Sequence, residues 1–485
     1  MPEKELDQLE PLFELDLQMA PKGSREAVQT LYRQLRAAIL DGRLKPGTRL
    51  PATRRSSTHF GLSRNSVVEV YERLSIEGLL QSQVGSGTFV AEPPPSAPPH
   101  SGEQSSFAIN PIWLRPDITE SLSFWRDSQE GGVAIDFRPA LIDPRLFPFD
   151  LFRQVSARQL RGLEKKPASF KSPQGNQGNF HLRRAITDHI ALTRAVPCRA
   201  EDVLVTAGAQ QAFDLLARVL VTPGKSMVAI EDPGYPPLRA AFAAAGAELA
   251  PVPVDEEGLM VERLPPDANI VCVCPSHQFP LGMSMSKRRR QALLDWARLR
   301  GAVIIEDDYD GEFRFDGSPL EALRIAAAAE QVFYVGTFSK CMLPSLRLGF
   351  IVAPGWAMKP LVTAKNSADW HCPTPMQLGV AGFITGGHLA RHVRKMRAVY
   401  KERRQALLDG LPDWLEPIPS FYGMHIAAFA RDGRDLDALT EGLQGVKLHS
   451  LSRYYLGAEK RQGLVFGHGA AGPAEIAAGL AKLPR

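Results

Sequence analysis

Residues 91–106, AEPPPSAPPHSGEQSS, cannot join a packed core. Five prolines lie among serines and glycines with few large apolar side chains, so the segment reads as an extended, partly stiff linker. It separates a short N-terminal piece from a much longer body. At roughly 150 residues per domain, a chain of 485 residues predicts about three folding units, or one small unit joined to a large one. The composition, 44% hydrophobic and 23% charged, is that of a globular chain and excludes wholesale disorder. No apolar run approaches the roughly 18 residues needed to cross a bilayer. The acidic start, MPEKELDQLEPLFELDLQ, lacks the basic and apolar regions of a signal peptide. Five cysteines, at 198, 272, 274, 341 and 372, are scattered without a CxxC. Neither a disulfide framework nor a metal site is expected, and reduced thiols in the cytoplasm are.

The net charge of +4 is unevenly placed. Residues 1–21 carry one lysine against six acidic side chains, whereas residues 22–91 carry eleven basic against five acidic. A basic piece ahead of a nearly neutral body favours a polyanionic partner only modestly, because most charged patches are simply solvated.

The basic piece has a specific pattern. Val28, Leu31, Leu35 and Ile39 mark one apolar face of a helix that Asp41-Gly42 ends. GRLKPGTRLPATRR (42–55) turns into a second, short helix closed by Gly61. SRNSVVEVYERLSIEGLL (63–80) predicts a third helix capped by Ser63, with Val67, Val70, Tyr71 and Leu74 inward. LQSQVGSGTFVA (80–91) reads as two strands around Gly85-Ser86-Gly87. Helix, turn, helix and hairpin in this order make a winged helix-turn-helix. Its third helix would enter the major groove N-terminus first, presenting Arg64 and Asn65 to base edges beside Ser63 and Ser66. Arg43, Arg54 and Arg55 are expected near phosphates, and Gly85 of the wing near the minor groove. A three-helix protein-interaction module is the plainer alternative, but the basic charge and the wing favour DNA. The wording of residues 24–91 resembles the N-terminal domain of GntR-type bacterial regulators. It departs at Ser56-Ser57, where Leu-Ala is usual, and weaker packing of the second helix is expected there.

From about residue 133 short apolar runs alternate with helical stretches: VLVT (203–206), MVAIE (227–231), NIVCVC (269–274), AVIIEDD (302–308) and QVFYVG (331–336). This alternation predicts an α/β domain with a mainly parallel sheet. A smaller terminal part with strands near 424–429 and 463–467 follows. GTFSKCMLPSLRLGF (336–350) sets Lys340 among small and apolar residues after a strand, seven positions before Arg347. A lysine desolvated in such a pocket becomes nucleophilic and suits a Schiff base. Ser339 and Arg347 could clasp a phosphate. An aspartate where the strand AVIIEDD ends could pair with a pyridinium nitrogen, with a tyrosine two residues on for a ring hydroxyl. VLVTAGAQQAF (203–213) aims the amides around Ala207-Gly208-Ala209 from a helix N-terminus at an anion. Tyr235, in EDPGYPP, could stack on a planar ring.

Together and in this order these fragments resemble fold-type I aminotransferases over about 135–484. The resemblance implies pyridoxal 5'-phosphate as cofactor. It makes Lys340 the Schiff-base lysine, Asp307 the partner of the pyridine nitrogen, Tyr309 that of the ring hydroxyl and Tyr235 the stacking aromatic. Gly208, Ala209, Ser339 and Arg347 match the phosphate cup. Tyr309 follows Asp307 by two positions, as in the regulator branch, rather than by three as in aspartate aminotransferases. The chain departs at CPSHQFPLG (274–282), where N-P-T-G is usual: Phe279 replaces the ring-contacting Asn and Leu281 the Thr. His277 or Gln278 is the expected polar substitute. Pro173 stands where a phosphate-binding tyrosine from a partner subunit is expected, and Ala207 and Ala209 stand where hydroxyls often sit. Arg461, ahead of GLVFG, matches the arginine for an effector carboxylate, with Arg453 as runner-up.

A GntR-type head, a linker and an aminotransferase-like body resemble the MocR/GabR-type regulators. That implies an arm at 1–21, a DNA-binding head at 22–91, a linker at 92–132, a large cofactor domain at 133–374 and a small subdomain at 375–485. It implies a homodimer, head to tail, that binds promoter DNA and senses an amine, an amino acid or pyridoxal phosphate itself, with little or no sustained transamination. A working aminotransferase with an accessory DNA-binding domain is the alternative.

Overall fold

The computed structural model describes residues 11–13, 15, 17, 26–83, 85–92, 109–123, 134–165, 175–315, 321–325, 328–457 and 460–484. Most of the arm and of the Pro-rich linker lies outside them, as does Pro173. The chain divides into two compact units, 1–108 and 109–485.

The first unit is the expected head. Helices α1 (Ala27–Leu40), α2 (Thr53–Phe60) and α3 (Arg64–Ile76) pack with strands β1 (Arg49–Leu50), β2 (Leu80–Gln83) and β3 (Gly87–Val90), in sheet order β1-β3-β2. Leu31, Leu35, Val67, Val70 and Leu74 are fully buried, and each such side chain contributes about 1.5–3 kcal/mol of transfer free energy. Gly61 ends α2 in the left-handed conformation, which a side chain would oppose, and Ser63 caps α3 by accepting from Ser66 N at 3.1 Å. Ser56 corrects the expectation of loose packing. It is fully buried, and its hydroxyl meets the Tyr71 hydroxyl at 3.0 Å while that hydroxyl donates to Pro51 O at 3.1 Å. A polar bridge replaces an apolar contact. Leu12, in the arm, is also fully buried in this core, and Phe13 stacks on His59 at 4.2 Å.

The second unit opens with α4 (Pro116–Ser123), β4 (Ile135–Asp136), α5 (Phe149–Lys165) and α6 (Phe180–Arg194). An α/β stretch follows: β5 (Val203–Thr206), α7 (Ala209–Leu220), β6 (Met227–Asp232), α8 (Pro236–Ala244), β7 (Glu248–Asp255), β8 (Gly258–Leu259) and β9 (Ile270–Val273). It continues through α9 (Lys287–Arg300), β10 (Val303–Asp308), β11 (Val332–Thr337), β12 (Gly349–Val352), α10 (Gly355–Ala368), α11 (Thr374–Thr385) and α12 (His388–Gly410). The rest is β13 (Leu415–Pro417), β14 (His425–Ala430), α13 (Leu436–Gly442), β15 (Val446–Lys447), β16 (His449–Ser450), β17 (Gly463–Gly467) and α14 (Pro473–Leu480).

Eight strands form one sheet in the order β5-β12-β11-β10-β9-β6-β7-β8. All five apolar runs singled out in the sequence are in it. The run β7-β6-β9-β10-β11 is parallel, whereas β12 pairs antiparallel with both β11 and β5. Parallel strands covered by helices on both faces are apolar throughout, which is why these runs are continuous rather than alternating. The small part has an antiparallel sheet, β13-β14-β17-β16, while β4 pairs parallel with β15. Ile135 and Phe137, at the start of the segment read as the large domain, therefore pack into the small part's core. Residues 109–123, read as linker, instead carry α4, which packs on α8.

Candidate functional site

Alternation along β10 sorts its acids. Glu306 and Asp308 point one way, where Asp308 Oδ2 meets Arg194 Nε at 2.6 Å. Asp307 points the other way, towards Cys274, whose thiol donates to Oδ2 at 3.7 Å. Asp307 is 5% exposed and its Oδ1 is buried without a partner among the described residues. Burial, and then the negative charges of Asp308 and Asp310, push its carboxyl up to about 8. A buried carboxyl with a free oxygen is set up for a cationic N–H donor.

Lys340 follows β11. Its Nζ donates to Ala140 O at 2.8 Å, and burial lowers its ammonium to about 8 against the opposing pull of Asp310 and Asp307. A share of neutral amine near neutral pH is what nucleophilic attack requires. Ser339 is buried, its Oγ accepting from Thr337 Oγ1 at 3.0 Å.

Gly208 sits between β5 and α7 at φ +81°. A Cβ there would lie 2.9 Å from the Arg347 guanidinium, which donates to Ala207 O at 2.9 Å, and a Cβ on Gly349 would come within 2.9 Å of Gly208. Two glycines thus open a cradle beneath an arginine at the start of a helix, an arrangement for a phosphate. One expectation is corrected. The Ala207 amide is not free for an anion, because it donates to Gln211 Oε1 at 2.8 Å. The Gln211 side chain in turn donates to Asp369 at 2.9 Å.

The loop 277–282 separates its two polar candidates. Gln278 is consumed by backbone, its amide donating to Pro233 O and Phe279 O at 2.8 Å while its oxygen accepts from Leu281 N at 3.0 Å. It does not replace the missing asparagine. His277 lies with Nδ1 2.8 Å from the Tyr309 hydroxyl and 2.9 Å from Asp310 Oδ2. Its Nε2 is buried without a partner among the described residues. Phe279, in the asparagine's place, is the hub of an aromatic cluster, edge-on to Tyr235 (5.4 Å), Tyr309 (5.7 Å) and Tyr454 (5.3 Å). Ligand atoms of His277, Asp310 and His425 lie within 4.8 Å of one another, close enough for an ion, but the Asp310 carboxylate is already held by His277. Arg461 is exposed, its guanidinium 3.4 Å over Phe429, a ring that packs against the same aromatic cluster. Arg453 is exposed on the short turn before Tyr455.

Asp307's Oδ1, without a partner among the described residues, and the Gly208 cradle fit pyridoxal phosphate. Sequence reasoning missed Asp310 and Gln211. The fold brings Asp310 to His277, whereas Gln211 reaches Ala207 from four residues on, in the first turn of α7.

In the head, Arg54, Arg55, Arg64 and Asn65 are exposed and Ser66 is half-buried at the start of α3. Gly85 holds φ +81° in the hairpin turn, with open space around it. Arg43 is exposed, but its guanidinium is taken up by Asp41 at 2.8 Å, so it offers less free positive charge than expected.

Residues 27–90 match the family of bacterial regulatory proteins, gntR family, and residues 148–426 match aminotransferase class I and II. The probable rhizopine catabolism regulatory protein MocR of Rhizobium meliloti is 34% identical over 93% of this chain and 92% of its own length. The HTH-type pyridoxine biosynthesis transcriptional regulator PdxR of Corynebacterium glutamicum is 32% identical over 94% of this chain and 95% of its own. Among solved structures, the kynurenine aminotransferase of Pyrococcus horikoshii is 25% identical with a TM-score of 0.68, covering 76% of this chain and 93% of that one. The α-aminoadipate aminotransferase LysN of Thermus thermophilus is 28% identical at a TM-score of 0.65, with 76% and 93% covered. Head, body and cofactor cradle thus agree with full-length regulators on one side and with enzymes over the body alone on the other: the chain belongs to the MocR/GabR-type GntR regulators, with pyridoxal phosphate as the cofactor of its aminotransferase-like body.

Proposed function

We propose that this regulator senses a small amine or amino acid, or pyridoxal phosphate itself, at Lys340 and passes the signal to promoter DNA held by its head. The observation that carries the reading is the buried Asp307 Oδ1, without a partner among the described residues, on the same chain as a winged helix whose exposed α3 start bears Arg64 and Asn65. Bound pyridoxal phosphate would supply an electrophilic carbon and an electron-withdrawing ring. The protein's part is to hold the pyridine proton with Asp307, to donate to the ring oxygen from Tyr309, and to grip the phosphate with Arg347, Ser339 and the Gly208–Ala209 amides. Tyr235 would flank the ring. Arg461, above the Phe429 ring, would meet an effector carboxylate. Phe279 in place of a polar side chain leaves the site better suited to holding an amine than to turning it over. A homodimer, paired head to tail in the cytoplasm, would place two heads on two half-sites.

The test has two arms. Borohydride reduction followed by peptide mapping should place the cofactor on Lys340; a label on another lysine would reject the site. A panel of amines should then shift promoter binding with keto-acid turnover below roughly 1 per second, the low end of ordinary enzymes. Turnover at or above that rate would favour an aminotransferase with an accessory head.

A further inference from the structure

Near Asp307 and Lys340 lies a buried polar chain in which each member constrains the next. Asp310 is 2% exposed and His277 is 2% exposed. Asp310 Oδ2 and Oδ1 lie 2.9 and 3.2 Å from His277 Nδ1, and the Tyr309 hydroxyl lies 2.8 Å from the same nitrogen. Gly423, at φ +78°, closes the pair from the other side, since a Cβ there would overlap the imidazole and come within 2.6 Å of Asp310 Oδ2. His425 packs at 4.5 Å between ring centroids, and its own Nε2 donates to Pro280 O at 2.9 Å.

The proton inventory decides what this chain does. A neutral imidazole carries one N–H. Placed on Nε2, it would be a buried donor without an acceptor, and the Nδ1 lone pair would face the Asp310 carboxylate. Placed on Nδ1, it serves both the carboxylate and the phenol oxygen, and only a lone pair is left unmatched at Nε2. The second arrangement wins, because an unpaired donor beside a lone-pair–carboxylate clash costs more than an unmatched acceptor. Tyr309 is then an acceptor towards His277, so its own O–H is turned away from the histidine and remains free to donate.

We propose that Asp310 is a positioning residue that acts through His277 to aim the Tyr309 proton at the ring oxygen of the cofactor. The inference rests on the cofactor reading above and adds a residue that would act on the cofactor through His277 and Tyr309. It also explains a substitution: where related enzymes place a direct polar contact, this chain places Phe279, and the polar control passes to Asp310 and His277 behind the tyrosine.

Asp310→Asn tests it with little change of shape. The neutral amide would accept the His277 Nδ1 proton more weakly than the carboxylate and offers a competing donor, so the Nδ1–H form, and with it the direction of the Tyr309 proton, would no longer be fixed. The readouts are pyridoxal phosphate affinity by titration of the apo protein and the absorption spectrum of the bound cofactor, with the melting temperature of the apo protein as a control of folding. Asp310→Asn should weaken affinity roughly tenfold, the scale of losing one hydrogen bond to a charged group, and should shift the spectrum. In a Tyr309→Phe background the same change should cost much less, because the proton it misdirects is gone. An equal factor in both backgrounds, or an unchanged affinity and spectrum in the single variant, would overturn the proposal. If Tyr309→Phe alone leaves affinity and spectrum untouched, the fault lies in the placement of the cofactor and not only in the role of Asp310.

Discussion

Arg347 and Gly208 interlock. The guanidinium reaches across to Ala207 O, and the space it fills is the space a Gly208 side chain would need. Gly208 is also at φ +81° and ψ 176°, a region essentially restricted to glycine. Gly208→Ala should therefore displace Arg347 from the cradle and strain the start of α7 by about 1–3 kcal/mol. Titration of the apo protein with pyridoxal phosphate should show weaker binding, and inorganic phosphate should compete less well than in the parent chain. Unchanged affinity for both would mean that the phosphate sits elsewhere.

Asp307 makes a prediction about pH. Its carboxyl is pushed up to about 8 in the fold, against about 3.9 in an unfolded chain. Between those values the folded chain holds a proton that the unfolded chain has released, so this group lowers stability as pH rises, by up to about 1.4 kcal/mol per pH unit. Asp307→Asn abolishes that fall. The variant should melt above the parent at pH 8 without cofactor, and at nearly the same temperature below pH 4. Pyridoxal phosphate should reverse the order, because a cationic ring nitrogen stabilises the carboxylate and does nothing comparable for the amide. Melting curves of both proteins at pH 6 and 8, with and without cofactor, decide it; a variant stabilised by the cofactor as strongly as the parent would defeat the assignment.

What the sequence disclosed follows from how local each signal is. Lys340, Asp307 and Tyr309 stand next to apolar strands, so strand prediction places them at strand ends, and the β10 alternation then separates Asp307 from Asp308. Ser63 as a cap and Gly61 as a helix end are equally local. Contacts between distant segments were not legible. Asp310 reaching His277 and Ser56 meeting Tyr71 each depend on which helix or loop packs beside which, and polar residues at those positions look like ordinary surface. The antiparallel β12 was hidden for a related reason: GFIV overlaps the end of the cofactor motif, and only its partners β11 and β5 reveal its direction. Ile135 and Phe137 read as the start of the large domain because nothing local signals that β15 will take up β4.

The head offers two separable substitutions. Arg64 begins α3 and is exposed beside Asn65, whereas Arg54 is exposed on α2. If α3 enters the major groove, Arg64→Ala should cost about 1–3 kcal/mol at the cognate promoter and little on random DNA, as loss of a base contact does. Arg54→Ala should weaken both alike and flatten the salt dependence, as loss of a phosphate contact does. Binding isotherms on both DNAs at several salt concentrations distinguish them. Equal losses on both DNAs for Arg64→Ala would place the reading surface elsewhere.

Removal of Lys340 tests the proposed coupling between the cofactor site and the DNA-binding head. An effector can alter promoter occupancy only by binding two states of the protein with different free energies, and by linkage the DNA must then alter effector affinity by the same factor. The amine of Lys340, lowered to about 8, is the proposed point of covalent attachment for the cofactor and of competition with an incoming amine. Lys340→Ala keeps the Arg347–Gly208 cradle and the Asp307 carboxyl, so it should still bind pyridoxal phosphate noncovalently, give no borohydride-stable label, and bind promoter DNA with the parent's affinity in the absence of effector. Its promoter affinity should no longer change when the amine is added, and DNA should no longer change its affinity for the amine. Both arms can be read by fluorescence anisotropy on one labelled promoter fragment. A Lys340→Ala protein that keeps a normal response to the amine would show that the signal starts at another contact, with Arg461 the first position to test.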